Sequence, residues 1–198
     1  LAVGSTMRRG AMPAPIAGAP EGIKLFYRVV CAPDRINDDL PLLLFLQGGP
    51  GGESPRPLSP TSDGWIEEAV KHFRVLLPDQ RGTGRSSCVD GHTIAALGER
   101  ATAAGSDAAR SQADFLKRHR ASSIVRDFEY LRLVGFGGKP WVTLGQSYGG
   151  FLTLSYLSLF PEGVAASFTC GGIPHVPASA GEVYAHTFPR MAAKTQQY

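Results

Sequence analysis

Short apolar runs alternate along the chain with longer segments whose apolar residues recur at helical spacing. Gly22 to Ala32, GIKLFYRVVCA, is rich in β-branched and aromatic residues and predicts an early strand, paired antiparallel at a sheet edge. Leu40 to Leu46, LPLLLFL, is continuously apolar, the pattern of a strand buried on both faces of a parallel sheet. Phe73 to Pro78, Val142 to Leu144 and Ala165 to Cys170 predict further strands. Asp63 to His72 predicts a short helix with Trp65, Ile66, Ala69 and Val70 on its inner face. Gly98 to Arg110 is small and polar and predicts a surface loop or weak helix, whereas Gln112 to Leu133 predicts one helix turning Phe115, Ile124, Val125, Phe128, Leu131 and Leu133 inward. Phe151 to Phe160 is apolar on nearly every face, as in a helix enclosed by its own domain, and Pro161 stops it. Strands alternating with helices imply an α/β fold, with a mostly parallel sheet covered by helices on both faces.

Glycines gather where these strands end. Gln47-Gly48-Gly49-Pro50-Gly51-Gly52-Glu53 follows the Leu40 to Leu46 run and leaves backbone N–H groups uncovered by side chains. Asp79 to Ser87, DQRGTGRSS, follows the next strand. Gly145-Gln146-Ser147-Tyr148-Gly149 joins a β-favouring run to the apolar helix, which is the strand, sharp turn and helix of a nucleophile elbow, with Ser147 as candidate nucleophile. Glycines two before and two after the serine suit a strained turn in which a Cβ would crowd the neighbouring strand or helix. The pentapeptide taken alone also fits a Gly-rich connection holding an ordinary serine.

Composition narrows the classes. The 198 residues are 43% hydrophobic and 19% charged, enough for a buried core, so disordered and fibrous classes are excluded. A formal net charge of +3, with no concentrated run of Lys or Arg, gives no electrostatic case for nucleic acid or an anionic membrane. No segment has the apolar length of a membrane span. Cys31, Cys88 and Cys170 are widely spaced and odd in number, so they read as reduced, and a cytoplasmic protein is expected. No His, Cys or carboxylate cluster has ligand spacing, so neither a metal nor any other cofactor is expected. Residues 1–21, broken by Gly10, Pro13, Pro15, Gly18 and Pro20, read as a loose N-terminal segment without the apolar core of a signal peptide.

Three motifs in order, QGGPGGESPRP at 47–57, DQRGTGRSS at 79–87 and GQSYGGF at 145–151, with GGIP at 171–174, resemble the prolyl aminopeptidase (proline iminopeptidase) family of α/β-hydrolase serine peptidases. Gln47 before Gly-Gly-Pro-Gly is similar to the larger subgroup of that family, where glutamine often replaces histidine. The resemblance implies an α/β-hydrolase fold and hydrolytic removal of N-terminal proline from a peptide substrate through an acyl-enzyme on Ser147. It also implies an oxyanion hole made by the backbone N–H groups of Tyr148 and Gly49, with Gly48 the lesser candidate. Gly49 also fits a tight turn needing positive φ.

The remaining polar residues have two readings each. Asp79 precedes the nucleophile, out of order for a triad acid in this fold, and a structural role with Arg81 and Arg85 is favoured. Glu53 either meets a substrate amine or is an exposed loop carboxylate. After Ser147 the carboxylates are Glu162 and Glu182; the histidines are His175, in a Pro-flanked loop that could lie near the cleft, and His186, and both are read as surface or cap-entry residues. The resemblance therefore implies that the catalytic acid and histidine lie beyond Tyr198. Residues 22–175 are expected to form the N-terminal part of the core, and residues 176–198 the start of a helical cap domain. Competing readings are another α/β-hydrolase, such as an esterase or a tripeptide-releasing aminopeptidase, and a non-catalytic fragment lacking its acid and histidine. Oligomeric state is not legible in these residues.

Overall fold

A computed structural model describes residues 23–58, 64–172 and 179–197. The N-terminal segment before Ile23, His175 and the second half of GGIP lie outside the described residues.

Five strands form one sheet: β1 (Tyr27–Val30), β2 (Leu42–Leu46), β3 (Arg74–Pro78), β4 (Trp141–Gln146) and β5 (Val164–Cys170). Their order is β1-β3-β2-β4-β5. As the sequence predicts, β1 is an edge strand antiparallel to β3, and the other pairings are parallel. Leu46 pairs in register with Gly145, so the loops after β2 and β4 leave the same end of the sheet.

Continuous apolarity in β2 has the expected consequence. Leu44 and Leu46 enter one core with Leu76, Trp141, Ile124, Val125 and Phe128 of helix α4 (Ala121–Tyr130), and Leu152 and Tyr156 of helix α5 (Tyr148–Leu159). Leu43 and Phe45, pointing the other way, enter a second core with Val30, Val75, Leu77 and Val142, covered by Ile66 of helix α1 (Gly64–Ala69) and by Val70. Each fully buried side chain of this kind is worth about 1.5–3 kcal/mol. The alternation thus anchors a helical layer to both faces.

The region between β3 and β4 departs from the expectation. Over 98–110, where a surface loop or weak helix is expected, helix α2 (Gly91–Ala103) continues to Ala103, started by Asp90, whose carboxylate accepts the Thr93 N–H at 2.7 Å. The single helix expected over 112–133 is two: α3 (Ala108–Lys117) and α4. Arg81 donates to the Arg118 carbonyl at 2.7 Å, capturing a backbone acceptor in the break between them. A π-helical turn, Leu131–Gly135, follows α4 and leaves Leu133 51% exposed, contrary to its predicted inward position. The apolar surface of α5 is enclosed only in part: Leu152 and Tyr156 are buried, but Leu157 and Leu159 are exposed.

Along β5 everything after Val164 is exposed, including Phe168. Two short helices, α6 (Ala180–Ala185) and α7 (Thr187–Thr195), end the described chain.

Candidate active site

Ser147 joins β4 to α5 and has φ 55° and ψ −117°, making it the one positive-φ residue other than glycine among those described. Such a conformation costs about 1–3 kcal/mol and persists where the surroundings enforce it. Here they do. The Ser147 N–H donates to the Cys170 carbonyl at the end of β5 at 2.8 Å, and the Ser147 carbonyl accepts from Gly150 at 2.9 Å. Below the serine the two elbow glycines pack on each other: a Cβ at Gly145 would lie 2.3 Å from the Gly149 carbonyl oxygen. These contacts leave Ser147 exposed at the carboxyl end of the central strands.

The loop after β2 lies against this turn. A Cβ on Gly48 would sit 3.0 Å from the Ser147 Cβ and 2.9 Å from the Gln146 carbonyl oxygen, so only glycine allows the approach. Gly49 follows with φ +116° and is exposed, while Gly48 is buried. The Gly48 N–H donates to the Gln47 Oε1 at 2.8 Å, whereas the Gly49 N–H meets no acceptor among the described residues. Tyr148 is the first residue of α5, where backbone N–H groups lack intrahelical acceptors. Its half-buried ring stacks on Phe151 with centroids 5.9 Å apart. The three residues singled out by sequence, Ser147, Gly49 and Tyr148, therefore belong to adjoining segments at one end of the sheet.

Asp79 takes the structural role favoured for it. Its buried carboxylate accepts from the Ser54 N–H at 3.0 Å, the Arg85 N–H at 2.8 Å and the Arg56 Nη2 at 3.0 Å. A Cβ on Gly84 would fall 2.2 Å from Asp79 Oδ2, so the glycine of this loop makes room for the carboxylate. Arg81 is tied elsewhere: its guanidinium grips Asp127, with Nε to Oδ2 at 2.6 Å. Arg85 lies over the Phe26 ring, 5.4 Å from the centroid. Glu53 is half-exposed and pairs with Arg56 at 2.7 Å.

Neither described acidic candidate after the serine joins it. Glu162 stands in the turn before β5, at the level of Trp141 and thus at the far end of β4 from Ser147. Glu182 is committed to a capping box with Ser179, which holds its carboxyl below the ordinary value. His186 is exposed at the start of α7. No metal-binding group of three His, Cys, Asp or Glu forms among the described residues.

Sequence reasoning passed over Gln80. It is 2% exposed, and its Nε2 donates to the Gln47 carbonyl at 2.8 Å. The available signal was a polar residue just after a buried strand that neighbours β2 in a parallel sheet, a place from which a side chain reaches the adjoining loop. A cavity of about 660 Å³ lined by Tyr27, Leu42, Arg74 and Phe136 opens at the opposite ends of the parallel strands, away from Ser147.

Comparison with known proteins agrees with this geometry. Residues 41–198 match the family model described as alpha/beta hydrolase fold. A proline iminopeptidase of Aeromonas sobria is 46% identical over 178 residues, covering 90% of this chain and 39% of that protein. Another, from Aspergillus aculeatus, is 34% identical over 183 residues, covering 89% of this chain and 38% of that protein. The chain thus spans well under half the length of these relatives. Among solved structures, a proline iminopeptidase-related protein from Thermus thermophilus superposes with a TM-score of 0.51 at 19% identity, over 80% of this chain and 43% of that one, a likeness of fold. With its elbow, its mostly parallel sheet and a family match over most of its length, the chain belongs to the α/β-hydrolase fold family.

Proposed function

We propose that this chain carries the nucleophile and oxyanion hole of a serine aminopeptidase that releases N-terminal proline from peptides. The observation that carries the reading is the strained, exposed Ser147 with the Gly48-Gly49 turn laid against it. Ser147 Oγ attacks the carbonyl of the N-terminal residue, and a general base takes its proton. The oxyanion of the tetrahedral intermediate accepts from the Gly49 and Tyr148 N–H groups, which are fixed before the reaction and need no reorganisation. Collapse expels the shortened peptide as its amine, leaving an acyl-enzyme that water resolves to proline and free serine.

The substrate class is supported by the names of the relatives, both proline iminopeptidases. We place the triad acid and histidine in the part of the protein beyond Tyr198, residues 22–175 in its core and 176–198 at the start of a cap. The exposed helices α6 and α7 are consistent with that boundary. A cytoplasmic setting is part of the same reading, supported by three cysteines present as free thiols. No helix among the described residues is long and apolar enough to cross a membrane.

The test compares a proline amide, an alanine amide and an aliphatic ester as substrates of the whole protein. Cleavage of the proline amide well above the others, abolished by Ser147→Ala, is the expected result. Preference for the ester would move the chain to another α/β-hydrolase activity.

A further inference from the structure

We propose that Gln47 and Gln80 are positioning residues that decide which N–H of the Gly48-Gly49 turn faces the oxyanion. The inference rests on the reading of Ser147 as a nucleophile that is acylated.

Two successive glycine N–H groups lie in this turn, and side-chain chemistry does not distinguish them. The hydrogen bonds do. The peptide unit joining Gln47 to Gly48 is planar, so its C=O and N–H point in opposite directions and fixing both fixes the plane. Both are fixed. The carbonyl end accepts from Gln80 Nε2 at 2.8 Å, and the N–H end donates to Gln47's own Oε1 at 2.8 Å. Each clamp is itself held. Gln47 Nε2 donates across the turn to the Glu53 carbonyl at 2.9 Å, which leaves Oε1 directed at Gly48. Gln80 is buried, and its carbonyl accepts from the Thr83 N–H at 3.0 Å and the Thr83 hydroxyl at 2.9 Å. A chain of contacts therefore runs from the turn after β3 through Gln80 to the plane beside the nucleophile.

The clamp has a chemical consequence. Gly48 packs on the Ser147 Cβ, yet its donor is already occupied. The next donor, on Gly49, stays unengaged among the described residues, and its plane is joined to the clamped one through Gly48, which is packed against the Gln146 carbonyl and the Ser147 Cβ. Removing the Gln47 acceptor frees the Gly48 N–H and lets the plane rotate. Removing the Gln80 donor releases the carbonyl end. In both cases the Gly49 donor loses its fixed direction.

The experiment uses the whole protein with Gln47→Met, Gln80→Met and the double variant. It measures kcat and KM on a proline amide, inhibition by the matching peptide aldehyde, whose adduct carries the oxyanion, and the rate at which a fluorophosphonate labels Ser147. Outright loss of an oxyanion donor costs about 10²–10³ in kcat, so a misdirected one is expected to cost about 10–100-fold. The aldehyde affinity and labelling rate should fall in parallel, with KM within about twofold, and the double variant should be no worse than the poorer single one, because both residues act on one plane. Folded variants that keep wild-type kcat and labelling, or whose loss lies wholly in KM, overturn the proposal. Gln47 is only half-buried, so its variant decides the matter even if Gln80→Met fails to fold. If the wild-type protein ignores proline amides but is labelled at Ser147, the substrate reading fails and the labelling rates still score the clamp. If wild-type Ser147 is not labelled, both fail.

Discussion

Gly149 and Leu46 are in contact through backbone alone: a Cβ added at Gly149 would lie 1.8 Å from the Leu46 carbonyl oxygen. That closeness seats the first turn of α5 on the end of β2 and brings the Ser147 turn to the Gly48 loop. Because the obstacle is backbone, no rotamer relieves it. Gly149→Ala is expected to destabilise the protein by about 3 kcal/mol or more and to abolish activity by separating the two loops. Gly91→Ala is the control, since a Cβ there meets nothing within 4 Å and φ is not positive; it should change stability by no more than about 0.5 kcal/mol. Denaturant titration of both variants checks the contrast, and wild-type stability in Gly149→Ala would refute it.

Strain at Ser147, the proposed nucleophile, separates stability from activity. Ser147 holds φ 55° in a region that glycine enters without penalty. Ser147→Gly should therefore unfold at higher denaturant, by about 1 kcal/mol, while losing the hydroxyl and with it turnover. Ser147→Ala should be equally inactive with nearly wild-type stability, since alanine shares the serine's steric restriction. A Ser147→Gly protein less stable than wild type would contradict the strain seen in the backbone.

These two positions were legible in the sequence for a physical reason. Glycines at fixed offsets from a serine, between a β-favouring run and an apolar helix, record steric demands that local sequence must satisfy. The same holds for β2, whose unbroken apolarity reports burial on both faces. What sequence did not disclose depends on distant partners. Nothing near Arg118 announces that Arg81 will take its carbonyl in the break between α3 and α4. The Gly98 to Arg110 segment reads as loop or weak helix because it lacks an apolar stripe to mark a buried face, whereas its helix is fixed by the Asp90 cap and by Gln112, which donates to the Ile94 carbonyl at 2.9 Å. In the site itself Gln80 was silent because its meaning lies in the neighbouring strand's loop.

Arg81 and Asp127 form a buried pair, with side chains 0% and 3% exposed. Burial pushes the Asp127 carboxyl above its ordinary value, and the hydrogen bonds and charge of Arg81 act against that. Arg81→Met would strand the carboxylate and leave the Arg118 carbonyl without its donor. The expected loss is about 3–5 kcal/mol, and replacing Asp127 with Leu as well should recover part of it, because the stranded charge is then gone. Chemical denaturation of the single and double variants provides the measurement; a single variant within about 1 kcal/mol of wild type would show that the pair does not hold α4 to the Asp79 loop.

A second buried network gives stability a dependence on pH. Glu129 accepts from Arg132 Nε at 2.8 Å and from the Tyr156 hydroxyl at 2.7 Å, beside the main core. Burial alone would raise its carboxyl, but the bonds from Arg132 and Tyr156 and the Arg132 charge outweigh it and hold the carboxyl below its ordinary value. A carboxyl lowered in the folded state contributes stability that is complete above its unfolded value of about 4.3 and is lost as pH falls through the folded value. Glu129→Gln removes that titration. The variant should be less stable than wild type by about 1–3 kcal/mol near neutral pH, and the gap should close as the medium is acidified below about pH 4. Thermal melts of both proteins across that range test it. A gap that stays constant with pH, or widens toward acid, would mean that the ionised form of Glu129 is not what the fold stabilises.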